Sequence, residues 1–239
     1  MSKPPGASET LAHFATGAYT GSAFENVLQT ARTRMLAALP LLETPSATAE
    51  LAAGALAPSG TALRRVFTEA VTLAAAPGAR ADASIVAAAL SASVLAGGGE
   101  TDAIEAIAIG REIAARLERA LTLDAPWDAV AAIAGIAAAA TAARAARLDP
   151  ESARHAIGLA ATQAAGLGVI DGTQAAELAC GKAAADAVEG ALLARHGFTA
   201  ASASLEGRRG LAALMGSRFD ETTLGEDLGR RWISAEREG

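Results

Sequence analysis

The feature that most constrains the fold of this chain is a run of three alanine-rich segments between residues 129 and 200. In order, the segments read AVAAIAGIAAAATAARAARLDP, ESARHAIGLAATQAAGLGVIDGTQ and AAELACGKAAADAVEGALLARHGFTA. Alanine is the strongest intrinsic helix former, and its small side chain allows neighbouring helices to approach backbone to backbone. The sequence therefore predicts three helices that form a buried central layer.

Signals for the ends of these helices are also present. Asp149 followed by Pro150 is typical of an N-cap and a first helical position, and Gly197 follows the last periodic residue of the third helix. A glycine-rich loop between the second and third helices carries Asp171 and Thr173. We interpret Asp171 as the N-cap of the third helix, although polar groups on such a loop are also candidates for contact with a ligand.

The flanking segments show helical rather than strand periodicity. One predicted helix ends at Pro40, and a capping box from Asp102 to Glu105 predicts the start of another. Because no alternating strand pattern is present, we expect an all-α fold, a compact multi-helix domain around the alanine-rich centre. The expected organisation is a disordered N-terminus at residues 1–7, a single helical domain at 8–233 and a tail at 234–239.

Charge and hydropathy exclude several classes of protein. The formal net charge is −6, whereas a nucleic-acid-binding protein needs a concentrated positive surface. The longest uncharged runs, residues 83–99 and 129–143, are shorter than the roughly 20 apolar residues that span a bilayer. With no signal peptide in the polar first six residues, we expect a cytoplasmic protein. Because a core of alanine and leucine buries little area per residue, we also expect added burial through oligomerisation.

The sequence gives no support for a metal site. His13, His155 and His196 do not lie at metal-ligand spacing from one another or from Cys180, which is the single cysteine. No glycine-rich phosphate loop follows a strand, so we expect no metal and no cofactor. Cys180 is interpreted as a small buried filler rather than as a nucleophile.

Lys182 is the one unusual basic residue, because the chain contains only one other lysine beside many arginines. A lysine in such a chain could supply a titratable amine, which arginine cannot. The alternative, which we favour from the residues alone, is an exposed pair with Asp186 one helical turn further on.

Several stretches taken together resemble the MmgE/PrpD family, which includes 2-methylcitrate dehydratase and cis-aconitate decarboxylase. The resemblance covers about residues 8 to 232 and rests on the order and spacing of these stretches. They are SETLAHFATG, IVAAALSASVLAGGGETDAIEAIAIGREIAARLERAL, GIAAAATAARAARLDPESARHAIGLAATQAAGL, GKAAADAVEGALLARHGFTAASASLEGRRGLAALMG and LGRRW. The resemblance implies a dimeric helical domain that carries most of an active site for metal-free dehydration or decarboxylation of small tricarboxylates.

The chain also departs from the family pattern at several positions. A smaller lid domain follows the LGRRW position in the family, and we expect it to be missing from this chain. The family's histidine and aspartate motifs map near Asp82, Ser84 and the pair Trp127-Asp128, and none of these positions is a histidine. The family's lysine and histidine of a further motif map to Ala176 and Ala179, so the catalytic lysine role does not transfer to Lys182.

Two functional hypotheses follow. In the first, the family's pocket has been repurposed by a lyase, isomerase or cyclase that acts on a small carboxylate-containing molecule without the family's histidine and lysine. In the second, the chain is a non-catalytic helical dimer, or a partner subunit that supports another family member. For the first hypothesis the candidate catalytic residues are Asp128, Asp171 and Lys182, and the candidate substrate-binding residues are Asp82, Ser84, Trp127 and Thr173.

Overall fold

The structure, a computed structural model, describes residues 5–55, 61–124 and 126–236. Within these ranges helices form most of the regular structure, and the expected all-α class is confirmed. The helices are α1 (Ala7–Thr16), α2 (Ser22–Leu42), α3 (Ala47–Ala55), α4 (Ala62–Ala74), α5 (Arg80–Leu95), α6 (Glu100–Ala120), α7 (Ala129–Ala145), α8 (Pro150–Gln163), α9 (Gln174–Arg195), α10 (Leu211–Met215), α11 (Glu221–Gly225) and α12 (Ile233–Glu236). A 3-10 turn spans Gly168–Ile170, and two short strands are β1 (Leu121–Leu123) and β2 (Gly216–Phe219).

The alanine-rich helix α7 lies at the centre of the fold. It packs against α5, α6, α8 and α9, and every residue from Ala131 to Ala143 is buried. By contrast, α8 and α9 each bury one face, so the central layer is a single helix with two flanking helices rather than three equally buried ones. Small side chains on all sides of α7 are what allow four neighbouring helices to approach it.

The predicted cap of α8 is confirmed, and the predicted cap of α9 is wrong. Asp149 Oδ1 accepts a hydrogen bond of 3.0 Å from Ser152 N, with Pro150 as the first helical residue. Helix α9, however, begins at Gln174, and the residue before it is Thr173. Asp171 therefore lies two residues too early to receive hydrogen bonds from the first turn of α9.

The predicted capping box at Asp102 is displaced by one turn. Helix α6 begins at Glu100 after Gly99, and the Asp102 carboxylate accepts a hydrogen bond of 3.0 Å from Gly99 N. Asp102 thus fills the third helical position of the box rather than its N-cap. Helix α2 also continues two residues beyond Pro40, although this proline cannot donate the backbone hydrogen bond to the carbonyl one turn before it.

The two-stranded ribbon was not predicted. Leu121 pairs with Phe219 and Thr122 pairs with Arg218 in antiparallel register. Strands of three and four residues are too short to show alternation, and their pairing joins distant parts of the chain.

The ends of the predicted domain differ slightly from expectation. Helix α1 begins at Ala7, inside the stretch expected to be disordered, and α12 extends to Glu236, inside the expected tail. Residues 1–4 and 237–239 of these two stretches lie outside the described residues. Among the described residues, no helix is long and apolar enough to cross a membrane.

Candidate functional site

The loop between α8 and α9 closes over the start of α7. Gly166 O accepts a hydrogen bond of 2.9 Å from Asp128 N, and Gly168 N donates one of 2.7 Å to Pro126 O. Gly166 has a φ of 130°, and a Cβ there would meet the Cβ of Ala131, so a side chain would push the loop away from α7. The loop is therefore fixed against the segment that leads into the central helix.

Arg80 joins two of the predicted site residues into what we call the Arg80 junction, formed by Arg80, Asp128 and Asp171. Arg80 is the first residue of α5, and its Nη2 lies 2.8 Å from Asp128 Oδ1. Its Nη1 lies 3.7 Å from Asp171 Oδ1, a looser contact with a carboxylate that is 84% exposed. The junction thus connects α5, the start of α7 and the loop before α9.

The contacts of Asp128 are those of a helix cap as well as of an ion pair. Asp128 Oδ1 accepts a hydrogen bond of 2.7 Å from Ala131 N while also facing Arg80. The approach of Arg80 Nη2 is not aligned for a hydrogen bond, and neither Nη2 nor Nε of Arg80 has a hydrogen-bond acceptor among the described residues. The interaction with Asp128 is therefore electrostatic, and the guanidinium retains donor capacity at this junction.

Ser84 lies next to the Arg80 junction, deep in the protein. Ser84 Oγ donates a hydrogen bond of 2.9 Å to Cys180 O, and Cys180 Sγ lies 3.6 Å from Arg80 O. Burial raises the pKa of the Cys180 thiol, which keeps it protonated and unreactive. Ser84 and Cys180 together fasten α5 to α9.

Asp82 is placed elsewhere. Its carboxylate lies 3.0 Å from Arg111 Nε on α6 and 3.4 Å from Arg34 Nη1 on α2. Asp82 therefore belongs to a charged cluster between α2, α5 and α6 that is separate from the Arg80 junction.

Lys182 lines an open pocket between α7, α8 and α9, which we call the Lys182 pocket. The pocket has a volume of about 290 Å³. Its walls are mainly small and apolar, with Gln163, Lys182 and Asp186 as the polar side chains. Lys182 Nζ lies 3.1 Å from Asp186 Oδ1, so the predicted i, i+4 pair is formed, and it is formed at the wall of the pocket. Ala179, one of the positions to which the resemblance assigned a family histidine, also lines this pocket.

The last two predicted residues flank the loop without entering the Lys182 pocket. Thr173 Oγ1 is exposed and donates a hydrogen bond of 2.6 Å to Ile170 O, which closes the turn before α9. Trp127 forms an isolated backbone bridge with Leu167 and lines a different groove on the other side of the loop. The structure thus brings Asp128, Asp171 and Ser84 together around Arg80, and separates Lys182, Trp127 and Asp82 from them.

Sequence reasoning missed Arg80 and Asp186 as functional candidates. The sequence indicates Asp186 only as the ion-pair partner of Lys182, although its helical spacing from Lys182 puts it on the same face of α9. Arg80 could not be found this way, because its partners lie 48 and 91 positions further along the chain. Among the described residues, no cluster of His, Cys, Asp and Glu could hold a metal ion.

Comparison with known families gives a match to the MmgE/PrpD N-terminal domain over residues 17–223. This match covers most of the chain and the whole region from α2 to β2, which contains the Arg80 junction and the Lys182 pocket. A comparison with curated proteins gives no match.

Proposed function

The chain belongs to the MmgE/PrpD family, and we propose that it binds a small carboxylate-containing molecule in the Lys182 pocket. The observation that carries the proposal is the Lys182–Asp186 pair on the wall of a pocket of about 290 Å³ otherwise lined mainly by small side chains. Pockets for small ligands are mostly apolar with a few convergent polar groups. Lys182 supplies a cation for a carboxylate, and the alanines leave space for a short carbon skeleton.

The same pair supports lyase or isomerase chemistry as the activity. In this proposal Asp186 accepts a proton from the carbon next to the bound carboxylate, and Lys182 stabilises the negative charge that develops. Hydroxide then leaves the neighbouring carbon and takes the proton that Asp186 accepted, so that water and an alkene are formed. In the isomerase route Asp186 instead returns the proton to a different carbon. No other group is needed for the electron balance of either route.

Binding is tested by isothermal titration of citrate, cis-aconitate and 2-methylcitrate into the purified protein and two variants. We expect Lys182→Met to weaken binding about tenfold or more, which corresponds to the loss of one charge-assisted contact. Arg195→Met is the matched control, because Arg195 is an exposed cation on the same helix that does not line the pocket. Equal affinity of the two variants would exclude Lys182 as the carboxylate-binding group.

Chemistry is tested by incubating the carboxylates with protein in deuterated water and following the carbon-bound protons by NMR. We expect exchange or conversion with the wild type and a loss of at least about a hundredfold in rate for Asp186→Asn, the usual contribution of a positioned base. Binding without exchange or conversion would contradict the proposed catalysis and leave only the proposed binding of the carboxylate.

A second candidate function, assembly with another polypeptide, is favoured by exposed apolar residues around the same loop. The exposed fractions are 54% for Leu167, 81% for Val169 and 41% for Leu178. Such a cluster is typical of a protein contact surface. We propose that a second copy or another family member covers it, giving the expected homodimer or a pair of family subunits.

This second function is tested by light scattering coupled to size-exclusion chromatography. We expect Val169→Asp to lower the mass of the wild-type assembly to that of a monomer, whereas Phe198→Asp, an exposed apolar site beyond α9, leaves the mass unchanged. A wild type that is monomeric on its own and with a family partner would contradict this candidate.

A further inference from the structure

A second concave site lies on the other side of the loop from the Lys182 pocket. It is a groove of about 890 Å³ between the end of α8, Trp127 and residues 201–215, and we call it the Arg209 groove. Its apolar lining includes Trp127, Leu211 and Met215, together with Leu214, which is 70% exposed. This volume lies in the range of about 300 to 1,000 Å³ that is usual for small-ligand sites.

The walls of the groove are held in place by long-range hydrogen bonds. His155 Nδ1, on α8, accepts one of 3.0 Å from Ala200 N, and Ser8 Oγ, on α1, accepts one of 3.2 Å from Leu205 N. Gly158 lets α8 approach closely, because a Cβ there would lie 2.7 Å from the Cβ of Ala200. The groove is therefore preformed rather than a gap between mobile segments.

A tight turn carries the arginine at the edge of this groove. The turn is the LEGRRG stretch, in which a Cβ at Gly210 would lie 2.8 Å from the carbonyl oxygens of Ser204 and Leu205. Gly207 is similarly crowded against the Ala203 carbonyl. Both glycines are thus required by the fold of the turn, which places Arg209 on the groove lining and leaves Arg208 off it.

The charge of Arg209 is not neutralised within the described part of the chain. Its nearest acidic neighbour in sequence, Glu206, is occupied by Ser8, whose Oγ donates a hydrogen bond of 2.6 Å to Glu206 Oε2. Arg209 has no ion-pair partner among the described residues, and no described acidic side chain lines the groove. The nearby hydroxyls are used internally, since Ser204 donates to Ala201 O at 2.8 Å and Thr162 to Leu159 O at 2.7 Å.

We propose that the Arg209 groove binds an amphiphilic carboxylate, with the carboxylate on Arg209 and the hydrocarbon chain along Trp127, Leu211 and Leu214. A single cation beside an extended apolar surface selects a ligand with one anionic end and one apolar end. This site is separate from the Lys182 pocket, because the two share only Ala164 among their lining residues.

The test uses sodium decanoate, kept below the concentration at which it forms micelles, with tryptophan fluorescence as the readout. Trp127 lines the groove, whereas Trp232, the other tryptophan, is buried elsewhere, so a saturable change that disappears in Trp127→Phe reports the groove. We expect Arg209→Met to weaken decanoate binding about tenfold and Arg208→Met to change it less than about twofold. Leu214→Ser, at a site whose side chain is largely exposed, is expected to weaken binding about threefold or more.

Two further measurements distinguish this proposal from its alternatives. Decyltrimethylammonium, which has the same chain and a positive head, is expected to bind at least about tenfold more weakly than decanoate. Lys182→Met is expected to leave decanoate binding unchanged, so failure of the Lys182 pocket as a carboxylate site leaves this result standing. Equal binding of the two amphiphiles, equal effects at Arg208 and Arg209, or no saturable change would each overturn the proposal.

Discussion

Helix α7 and the C-terminal segment, residues 220–236, are held in this protein by different means. Helix α7 is held by the shapes of small side chains, with every residue from Ala131 to Ala143 buried. The C-terminal segment is instead held by one buried ion pair, Glu112 and Arg116 of α6, whose side chains are at most 2% exposed. A core poor in large side chains can fasten an irregular segment by satisfying its backbone, in addition to burying Leu224, Trp232 and Ile233 of that segment.

The Glu112–Arg116 pair works through backbone groups of that segment. Arg116 donates to the carbonyls of Leu224 at 3.1 Å, Glu226 at 2.6 Å and Arg231 at 2.8 Å. Glu112 accepts from the amides of Ile233 at 3.2 Å and Ser234 at 2.9 Å. These bonds satisfy backbone groups of which those of Leu224, Ile233 and Ser234 are buried, and they offset the cost of burying two charges.

Arg116→Met tests how the C-terminal segment is held, and it is expected to cause the largest loss of stability. It leaves Glu112 buried without its counter-charge and frees three carbonyls, so we expect the free energy of unfolding to fall by about 3–5 kcal/mol. Urea denaturation measures this loss, and trypsin cleavage within residues 220–236 measures local release.

The matched control is Arg231→Met in the same segment. Arg231 pairs with Glu236 at the surface, with both side chains about half exposed, so its loss is expected to cost less than about 1 kcal/mol. If the two variants lost the same stability, the buried pair would not be what fastens the segment.

Gly110→Ala tests the packing of the central helix α7, and it is expected to cause the next largest loss of stability. A Cβ at Gly110 of α6 would meet Thr141 Oγ1 of α7 and lie 3.0 Å from Ile85 Cγ2. Because overpacking a tight helix contact costs about 1–3 kcal/mol, we expect a loss of that size by urea denaturation. Thr141→Ala in the same chain should recover most of it, since the closest clash is with the threonine hydroxyl.

Gly135→Ala is the control for this contact. Gly135 lies in α7, and a Cβ there has no atom within 4 Å among those described. We expect this variant to be neutral or more stable by up to about 1 kcal/mol, the difference in helix propensity between the two residues. A destabilisation equal to that of Gly110→Ala would show that the close approach of α6 and α7 is not the cause.

The same contrast explains which features the sequence could predict. Alanine content predicted α7, and Asp149-Pro150 predicted the start of α8, because both signals are local. Arg80 and Arg116 contact residues that lie far along the chain. Neither the Arg80 junction nor the contacts of the Glu112–Arg116 pair with residues 220–236 therefore have a local sequence signature. The Lys182–Asp186 pair lies between these cases. Its i, i+4 spacing predicts the ion pair from the sequence, but the pocket beside it depends on how α7, α8 and α9 pack together.

Tyr19 provides the smallest and most selective test, because it packs against the C-terminal segment from outside the ion pair. Its ring lies 5.4 Å from that of Trp232 and 5.1 Å from that of Phe14, and its hydroxyl donates a hydrogen bond of 2.8 Å to Phe14 O. Burial raises the pKa of Tyr19 from 10.0 to about 12, partly opposed by the positive charge of Arg144. The folded state therefore holds this proton more tightly than the unfolded state.

The sign of the pH dependence follows from that difference. The contribution of neutral Tyr19 to stability is complete below the unfolded pKa of 10.0 and is lost as the pH rises towards about 12. Tyr19 is the single tyrosine, so absorbance of the phenolate during an alkaline titration reports this residue alone. Tyr19→Phe is expected to cost about 0.5–1.5 kcal/mol at neutral pH through the lost hydrogen bond, and to remove this component of the alkaline decline in stability. A titration midpoint at the value of a free tyrosine would mean that the ring is open to water, and that residues 220–236 depend on the Glu112–Arg116 pair without support from the aromatic cluster.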